Sequence, residues 1–379
     1  ALTGLRTIAA GLVFFYHWFF THAASLPFVV RAPFDVGYSG VPIFFALSGF
    51  LITLRYEADF RHGRVTYRSY IFKRIIRIFP LYLFVLIGFV FAFGRPENMM
   101  PTTGRETIIL LTLTQALFPS TMLIGTTVGW TLTVEFIYYA IAPLLLKQLG
   151  PKLSFTHIGI YFFLYSTIGL LLGWLLSVIP NNNFDTLAGE NFFYIMHYSI
   201  FGHLPDFLIG MVAASLYLKP ESRPWFQQHT RWVIWGGLLI MYGSILLLAQ
   251  NESPLGSPAN RFLAFSIAGG VSILILGTSC DAAQNSLITR FLSLRVMVYL
   301  GVTSYALYLI QLTEPIQWLY WLLLGNYLSI ENQIWRAVFL YLIAIPLSAL
   351  LYEFIEKPAH RWLKNIGFLR NTVSAKTNS

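Results

Sequence analysis

Residues 1–20 read ALTGLRTIAAGLVFFYHWFF, a stretch apolar enough to sit in lipid as a helix that nevertheless keeps two ionisable side chains, Arg6 and His17. The rest of the chain repeats the apolar theme. Of 379 residues, 56% are hydrophobic, 17% aromatic and only 11% charged, against about 25% charged in an ordinary soluble domain. Apolar runs of roughly 18 residues or more recur along the length, and that is what a helix needs to cross a bilayer. The fold class read from this is all-α: a polytopic membrane helix bundle whose first partner is the lipid bilayer. No nucleic-acid partner is expected, because the net charge of +9 distributes by topology rather than as one basic patch. A single cysteine, Cys280, excludes an internal disulfide and cysteine-rich metal sites. The histidines show no metal-ligand spacing, so no metal is expected.

Ten spans are read, at about 5–22, 36–55, 72–93, 131–147, 155–177, 200–217, 231–249, 260–279, 298–324 and 335–355. The stretch 105–120, short and Thr-rich, reads as an interfacial or re-entrant helix rather than a span. Lysines and arginines set the orientation. Twenty fall on one side, including Arg6, the group from Arg55 to Arg77, and Lys357 with the tail; five fall on the other, namely Arg31, Arg95, Arg105, Arg261 and Arg336. This predicts both termini in the cytoplasm. No charged leader with a small-residue cleavage site opens the sequence, so the first span is expected to be retained. One membrane-embedded domain is expected over 1–364, followed by a short polar cytoplasmic tail over 365–379.

Arg6 and His17 lie eleven residues apart. At 100° per residue that is three turns and about 20°, so both side chains share one helix face, separated by about 16.5 Å along the axis. A fixed cation at the mouth and a titratable group deep inside suit an elongated anionic substrate with a buried reactive end. Taken singly, Arg6 reads as a snorkelling anchor and His17 as an interhelical hydrogen-bonding residue. Intramembrane ionisable groups are costly and default to a functional hypothesis.

Three further segments bear on the choice: GVPIFFALSGFLIT (40–53), YIFKRIIRIFPLY (70–82) and GWTLTVEFIYYAIAPLLL (129–146). Together with Arg-x10-His in the first span, and with YLGVTSYALYLIQLTEP (299–315) and FIEKPAHRW (354–362) further on, they resemble the acyltransferase-3 family of multi-pass membrane O-acyltransferases. The order and separations agree along nearly the whole chain. Three departures stand out. Pro42 occupies a position where an acidic residue is common, Thr131 replaces a serine, and Gln311-Leu312 stands where many members have His-Trp. The resemblance is to the stand-alone type, without a C-terminal esterase-like domain.

The resemblance implies acyl transfer, most simply of acetyl, from cytosolic acyl-coenzyme A to a hydroxyl on the far side of a bacterial inner membrane. Coenzyme A enters as donor substrate, with no cofactor resident. The resemblance leaves as acceptor a carbohydrate or other hydroxylated molecule: a cell-envelope or exported polysaccharide or glycolipid first, with lipid-linked sugars and small secondary metabolites as alternatives. Arg74 and Arg77, with Arg6 and Lys73, would bind the donor phosphates, for which arginine is suited. His17 would act as general base or be transiently acylated. Glu135 would orient His17 or bind the acceptor. Ser48, Trp130 and Tyr82 are candidate pocket residues, although close helix packing is the stronger reading of Ser48-Gly49 and the simplest one of Gly210 and Ala214. The competing class is a carrier or lipid-linked sugar flippase. The missing internal repeat and the concentration of charge at one mouth weigh against it.

Overall fold

The computed structural model describes residues 1–19, 26–94, 99–148, 154–180, 190–251, 256–281, 283–324 and 333–364, with Leu187 and Ser253. The expected tail, 365–379, lies outside the described residues, as do residues 20–22 of the first expected span. The described residues are helical and contain no strand. In chain order the helices are α1 (Leu2–Phe19), α2 (Phe28–Asp35), α3 (Gly40–Arg61), α4 (Tyr67–Val85), α5 (Gly104–Leu111), α6 (Gly129–Gln148), α7 (Phe155–Val178), α8 (Phe192–Tyr198), α9 (Ile200–Leu218), α10 (Arg223–Gln228), α11 (Thr230–Gln250), α12 (Pro258–Cys280), α13 (Leu287–Leu292), α14 (Arg295–Ile310), α15 (Glu314–Leu324), α16 (Gln333–Leu351) and α17 (Lys357–Lys364). Among the described residues, eight segments are long and apolar enough to cross a membrane: Gly37–Arg61, Tyr67–Phe91, Gly129–Gln148, Phe155–Val178, Ile200–Leu218, Thr230–Gln250, Pro258–Cys280 and Trp335–Trp362. The architecture is an all-α polytopic membrane bundle.

Side-chain caps set many helix starts. Thr66, Ser154, Ser199 and Ser257 each accept a backbone N–H from the first turn that follows, which satisfies a donor that otherwise has no partner. Pro42 sits in the first turn of α3, where its missing N–H would have been unpaired anyway. Two departures from regular geometry follow helical prolines. α4 holds Pro80 and continues as a π-helical stretch over Leu86–Phe91. α16 holds Pro346 and continues as a π-helical stretch over Tyr352–Glu356.

One expectation is corrected. The ninth span, 298–324, is not one helix. α14 ends at Ile310, the chain turns through Gln311–Thr313, and α15 starts at Glu314, with Pro315 in its first turn, where proline starts helices well. The stretch 105–120 is a single short helix, α5, held by a Thr103–Glu106 capping box and followed by 3₁₀ turns at Gln115–Leu117 and Pro119–Thr121.

α3 is the centre of the bundle: 78% of its apolar window is buried, against 22% for α7. α7 turns Phe163, Leu171 and Trp174 outward, as a lipid-facing helix does. α3 meets α9 through glycines. A Cβ on Gly49 would lie 2.1 Å from the Phe207 carbonyl oxygen, and one on Gly210 would lie 2.0 Å from that of Ala46. Gly237 and Gly270 do the same for α11 against α12. In lipid, small residues allow this approach and dispersion rewards it. α1 and α14 run side by side in the same direction, tied near their starts by Thr7 Oγ1 donating to Met297 O at 2.7 Å and near their ends by Trp18 Nε1 donating to Gln311 O at 3.0 Å.

Candidate active site

α1, α3, α4, α6 and α14 enclose a cavity of about 70 Å³. Its floor and walls are largely apolar, with Val41, Phe44, Phe45, Ile78 and Leu132 among the lining. The polar lining is Arg6, Ser48, Arg77, Thr131, Glu135, Ser304, Tyr305 and Tyr308. Three hydrogen bonds stitch the walls together. Ser48 Oγ donates to Glu135 Oε1 at 2.6 Å, joining α3 to α6. The Thr131 and Tyr308 hydroxyls bond at 2.8 Å, joining α6 to α14. Tyr305 donates to the Ile78 carbonyl at 2.8 Å, joining α14 to α4. Thr131, which replaces the usual serine, thus keeps its hydroxyl in use. Tyr139, one turn on from Glu135, also donates to Glu135 Oε1. Ser48 therefore faces the cavity while its neighbour Gly49 packs against α9.

Arg6 and Arg77 share this cavity, although one opens α1 and the other sits three turns into α4. Two carboxylates balance them. Glu135 lines the cavity, and Glu356, 5% exposed on the second π-helical stretch, interacts electrostatically with both arginines. Glu356 Oε2 is buried without a hydrogen-bond partner. The sequence reading took Glu356 only as part of a closing motif. A carboxylate within an apolar run is itself the signal that marks it.

The remaining candidate residues are distributed differently. Arg74 does not line the cavity. Its guanidinium stacks over the rings of Tyr56, Tyr70 and Tyr139 at 4.8, 5.3 and 5.3 Å, an aromatic box of the kind that holds a cation by ring quadrupoles. Lys73 is half-buried on the same helix, outside the cavity lining. Tyr82 is fully buried and also outside the lining. Its hydroxyl donates to the Leu110 carbonyl at 2.8 Å, tying α4 to α5.

His17 lies farther along α1, and its Nδ1 is 2.8 Å from the Val13 carbonyl oxygen. A carbonyl only accepts, so Nδ1 carries the proton and Nε2 of the neutral ring keeps its lone pair. The next residue, Trp18, donates its Nε1 to the Gln311 carbonyl at 3.0 Å, which sets Gln311 beside this turn of α1. Pairing of His17 with Glu135, an arrangement the sequence reading entertained, is not what forms. The Glu135 carboxylate accepts from Ser48 and Tyr139, one level below, and His17 Nδ1 turns to the Val13 carbonyl. The helix faces connect the two levels. Arg6, Val13 and His17 recur at seven and eleven residues on α1, and Ser304, Tyr308 and Gln311 continue one face of α14.

Beyond His17 an aromatic and histidine cluster closes the end of the bundle away from Arg6. Trp130, at the start of α6, lies 5.2 Å from the Tyr198 ring, 5.7 Å from His203 and 6.2 Å from His197. Tyr38 bridges Tyr16 and His197 at 5.3 and 5.8 Å. Beneath them Asp206 Oδ2 takes His203 Nδ1 at 2.8 Å and Arg261 Nη2 at 2.9 Å. Burial, together with His203 and Arg261 nearby, pushes His197 down to about 3, so its ring is neutral at physiological pH. The sequence reading took Arg261 as a topological charge and passed over His197, His203 and Asp206. The i, i+3 pair His203–Asp206 inside an apolar helix was the available sign.

Comparison with known proteins supplies the wider context. The family model described as an acyltransferase domain matches residues 1–353. The chain is 23% identical over 387 aligned residues to O-acetyltransferase OatA of Staphylococcus aureus, covering 95% of this chain and 57% of that protein. It therefore spans little more than half of that relative's length. It is also 26% identical over 307 residues to the putative acetyltransferase ORF330 of Acidianus two-tailed virus, covering 80% of this chain and 79% of that protein. No solved structure gave a significant match. With five polar-lined helices around one cavity, a multi-pass helical fold, and a family match running almost from end to end, the chain belongs to the acyltransferase-3 family.

Proposed function

We propose that this protein is a membrane O-acetyltransferase that takes acetyl from cytosolic acetyl-coenzyme A and places it on a hydroxyl of an extracytoplasmic glycan, in the inner membrane of a cell with both of the protein's termini inside. The observation that carries the reading is the line of polar groups along the neighbouring faces of α1 and α14. At one end Arg6 and Arg77 offer two guanidinium groups to an anion. At the other, about 16.5 Å along α1 by helix geometry, His17 has its proton on Nδ1, which leaves the Nε2 lone pair of the neutral ring as the basic site. That span is one an extended pantetheine arm can cover. The acceptor would approach from the outer aromatic cluster, since flat rings such as Trp130 and Tyr38 suit the apolar faces of sugars.

In the transfer step the acceptor oxygen attacks the thioester carbonyl carbon as its proton passes to His17 Nε2. The C–S bond then breaks, its electron pair leaves on sulfur, and the proton held by His17 goes to the thiolate. Acetyl ester and free coenzyme A result, and the base is regenerated. The donor's phosphates replace the internal counter-ions of Arg6 and Arg77 with charge-assisted hydrogen bonds. The test is thiol release from acetyl-coenzyme A by the purified full chain in nanodiscs, with extracted envelope glycan as acceptor probe. Acetyl ester appearing on the glycan in step with thiol supports the reading. Movement of intact glycan or donor across a membrane with no thioester cleavage overturns it in favour of a carrier.

A further inference from the structure

Gln311 is fully buried, yet neither its Oε1 nor its Nε2 has a hydrogen-bond partner. Burying an amide without partners costs the hydrogen bonds it made to water, so such a group calls for an explanation. Its backbone is firmly held. The Gln311 N–H donates to Leu307 O at 3.1 Å, its carbonyl accepts from Trp18 Nε1 at 3.0 Å, and it occupies the turn where α14 breaks. The Trp18 contact sets it beside the last turn of α1, which carries His17, one helical turn beyond Tyr308 on the face of α14 that lines the cavity. A buried, unpaired amide donor next to the proposed base, on a rigid backbone, has the form of a site prepared for an oxygen that arrives with substrate.

We propose that Gln311 is a catalytic residue: its Nε2–H₂ donates to the thioester carbonyl oxygen and holds the negative charge that gathers there in the tetrahedral intermediate. This rests on the acetyltransferase reading above. When the acceptor oxygen bonds to the carbonyl carbon, the π electron pair moves onto the carbonyl oxygen, where the Gln311 amide meets it. The pair returns as the C–S bond breaks, and the amide ends the cycle unchanged. A preorganised donor in a water-poor site is worth far more here than in water. His17 and Gln311 thus divide the work: one takes the proton from the nucleophile and the other stabilises the oxyanion.

The experiment compares the full chain in nanodiscs with Gln311→Leu and Gln311→His, measuring thiol release from acetyl-coenzyme A with extracted envelope glycan as acceptor probe, together with thermal stability. Leucine keeps the volume and removes the amide. Its kcat should fall about 10²–10³-fold, the loss typical of one oxyanion donor. Its KM for acetyl-coenzyme A should stay within about threefold, and its midpoint of unfolding should hold or rise because an unpaired buried amide is gone. Histidine keeps one N–H and should retain clearly more kcat than leucine. A leucine variant with kcat within threefold of the wild type overturns the proposal, and so does one that loses activity only because it unfolds at lower temperature while the histidine variant gains nothing over it. Absence of turnover in the wild type itself is a separate result, which overturns the underlying reading.

Discussion

At the scale of single residues, the site assigns distinct tasks to groups that look alike in the sequence. Arg74 and Arg77 sit three apart in one motif, and the sequence reading gives both to donor phosphates. Arg77 lines the cavity, whereas Arg74 is held in a box of three tyrosines, one of which, Tyr139, holds Glu135. Arg77→Ala should therefore weaken acetyl-coenzyme A binding about tenfold or more, as loss of a hydrogen bond to a charged group does, and the deficit should show by calorimetry. Arg74→Lys should leave binding largely intact and lower kcat instead, because an ammonium does not reproduce the planar stacking that fixes Tyr139. The opposite pattern would return the phosphate role to Arg74. His17→Gln should reduce thiol release about 10²–10⁴-fold, the usual worth of general base catalysis, with no change in the unfolding midpoint. Retention of more than a few per cent of turnover would remove His17 from the chemistry. Arg6, His17, Ser48, Arg77 and Glu135 were legible because each is a polar group where lipid or core demands an apolar one. Gln311 was read only as a departure from a motif, since a glutamine beside apolar residues carries no sign of which neighbour it faces.

Among the elements, glycines decide which helices touch and proline positions decide where they bend. α3 and α9 approach until backbone meets would-be Cβ at about 2 Å. Gly210→Leu must force them apart and should destabilise by the upper end of about 1–3 kcal/mol or beyond. The variant should accumulate poorly and aggregate on detergent extraction, while Gly243→Leu on the open face of α11, where an added Cβ meets nothing within 4 Å, should behave as wild type. Equal behaviour of the two would show that the close approach contributes nothing. Hydropathy located most of these helices to within a few residues because an apolar run of bilayer length permits little else. It failed over 298–324, where the run stays apolar through the turn at Gln311–Thr313. The local signal, Glu314-Pro315, is a helix-start pair that the average hydropathy hides.

For the whole molecule, the charge asymmetry and the site imply a direction of travel. Arg6 and Arg77 mark the side that the lysine and arginine count assigns to the cytoplasm, and the cavity they line reaches past Glu135 to Val41 and Thr131, next to Trp130 and its aromatic cluster. In oriented proteoliposomes with glycan sealed inside, external acetyl-coenzyme A should acetylate it only when the cytoplasmic face points outward. Equal rates with donor and acceptor on the same side would contradict transfer across the membrane. The outer cluster itself was not legible as a unit. Its members come from α1, α6, α8, α9, α12 and the turn at Tyr38, and no spacing in one dimension announces a meeting of six segments.

The glycine contact between α3 and α9 has a mechanical consequence. With main chain against main chain there is no layer of side chains to slide or repack, so the pair is a fixed post and Ser48 rides on it. α4 and α16, by contrast, each pass into a wide π turn, and Glu356 sits on the second of these. The molecule thus sets a tightly joined pair of helices beside two irregular ones, and the second irregularity carries the carboxylate that interacts with Arg6 and Arg77.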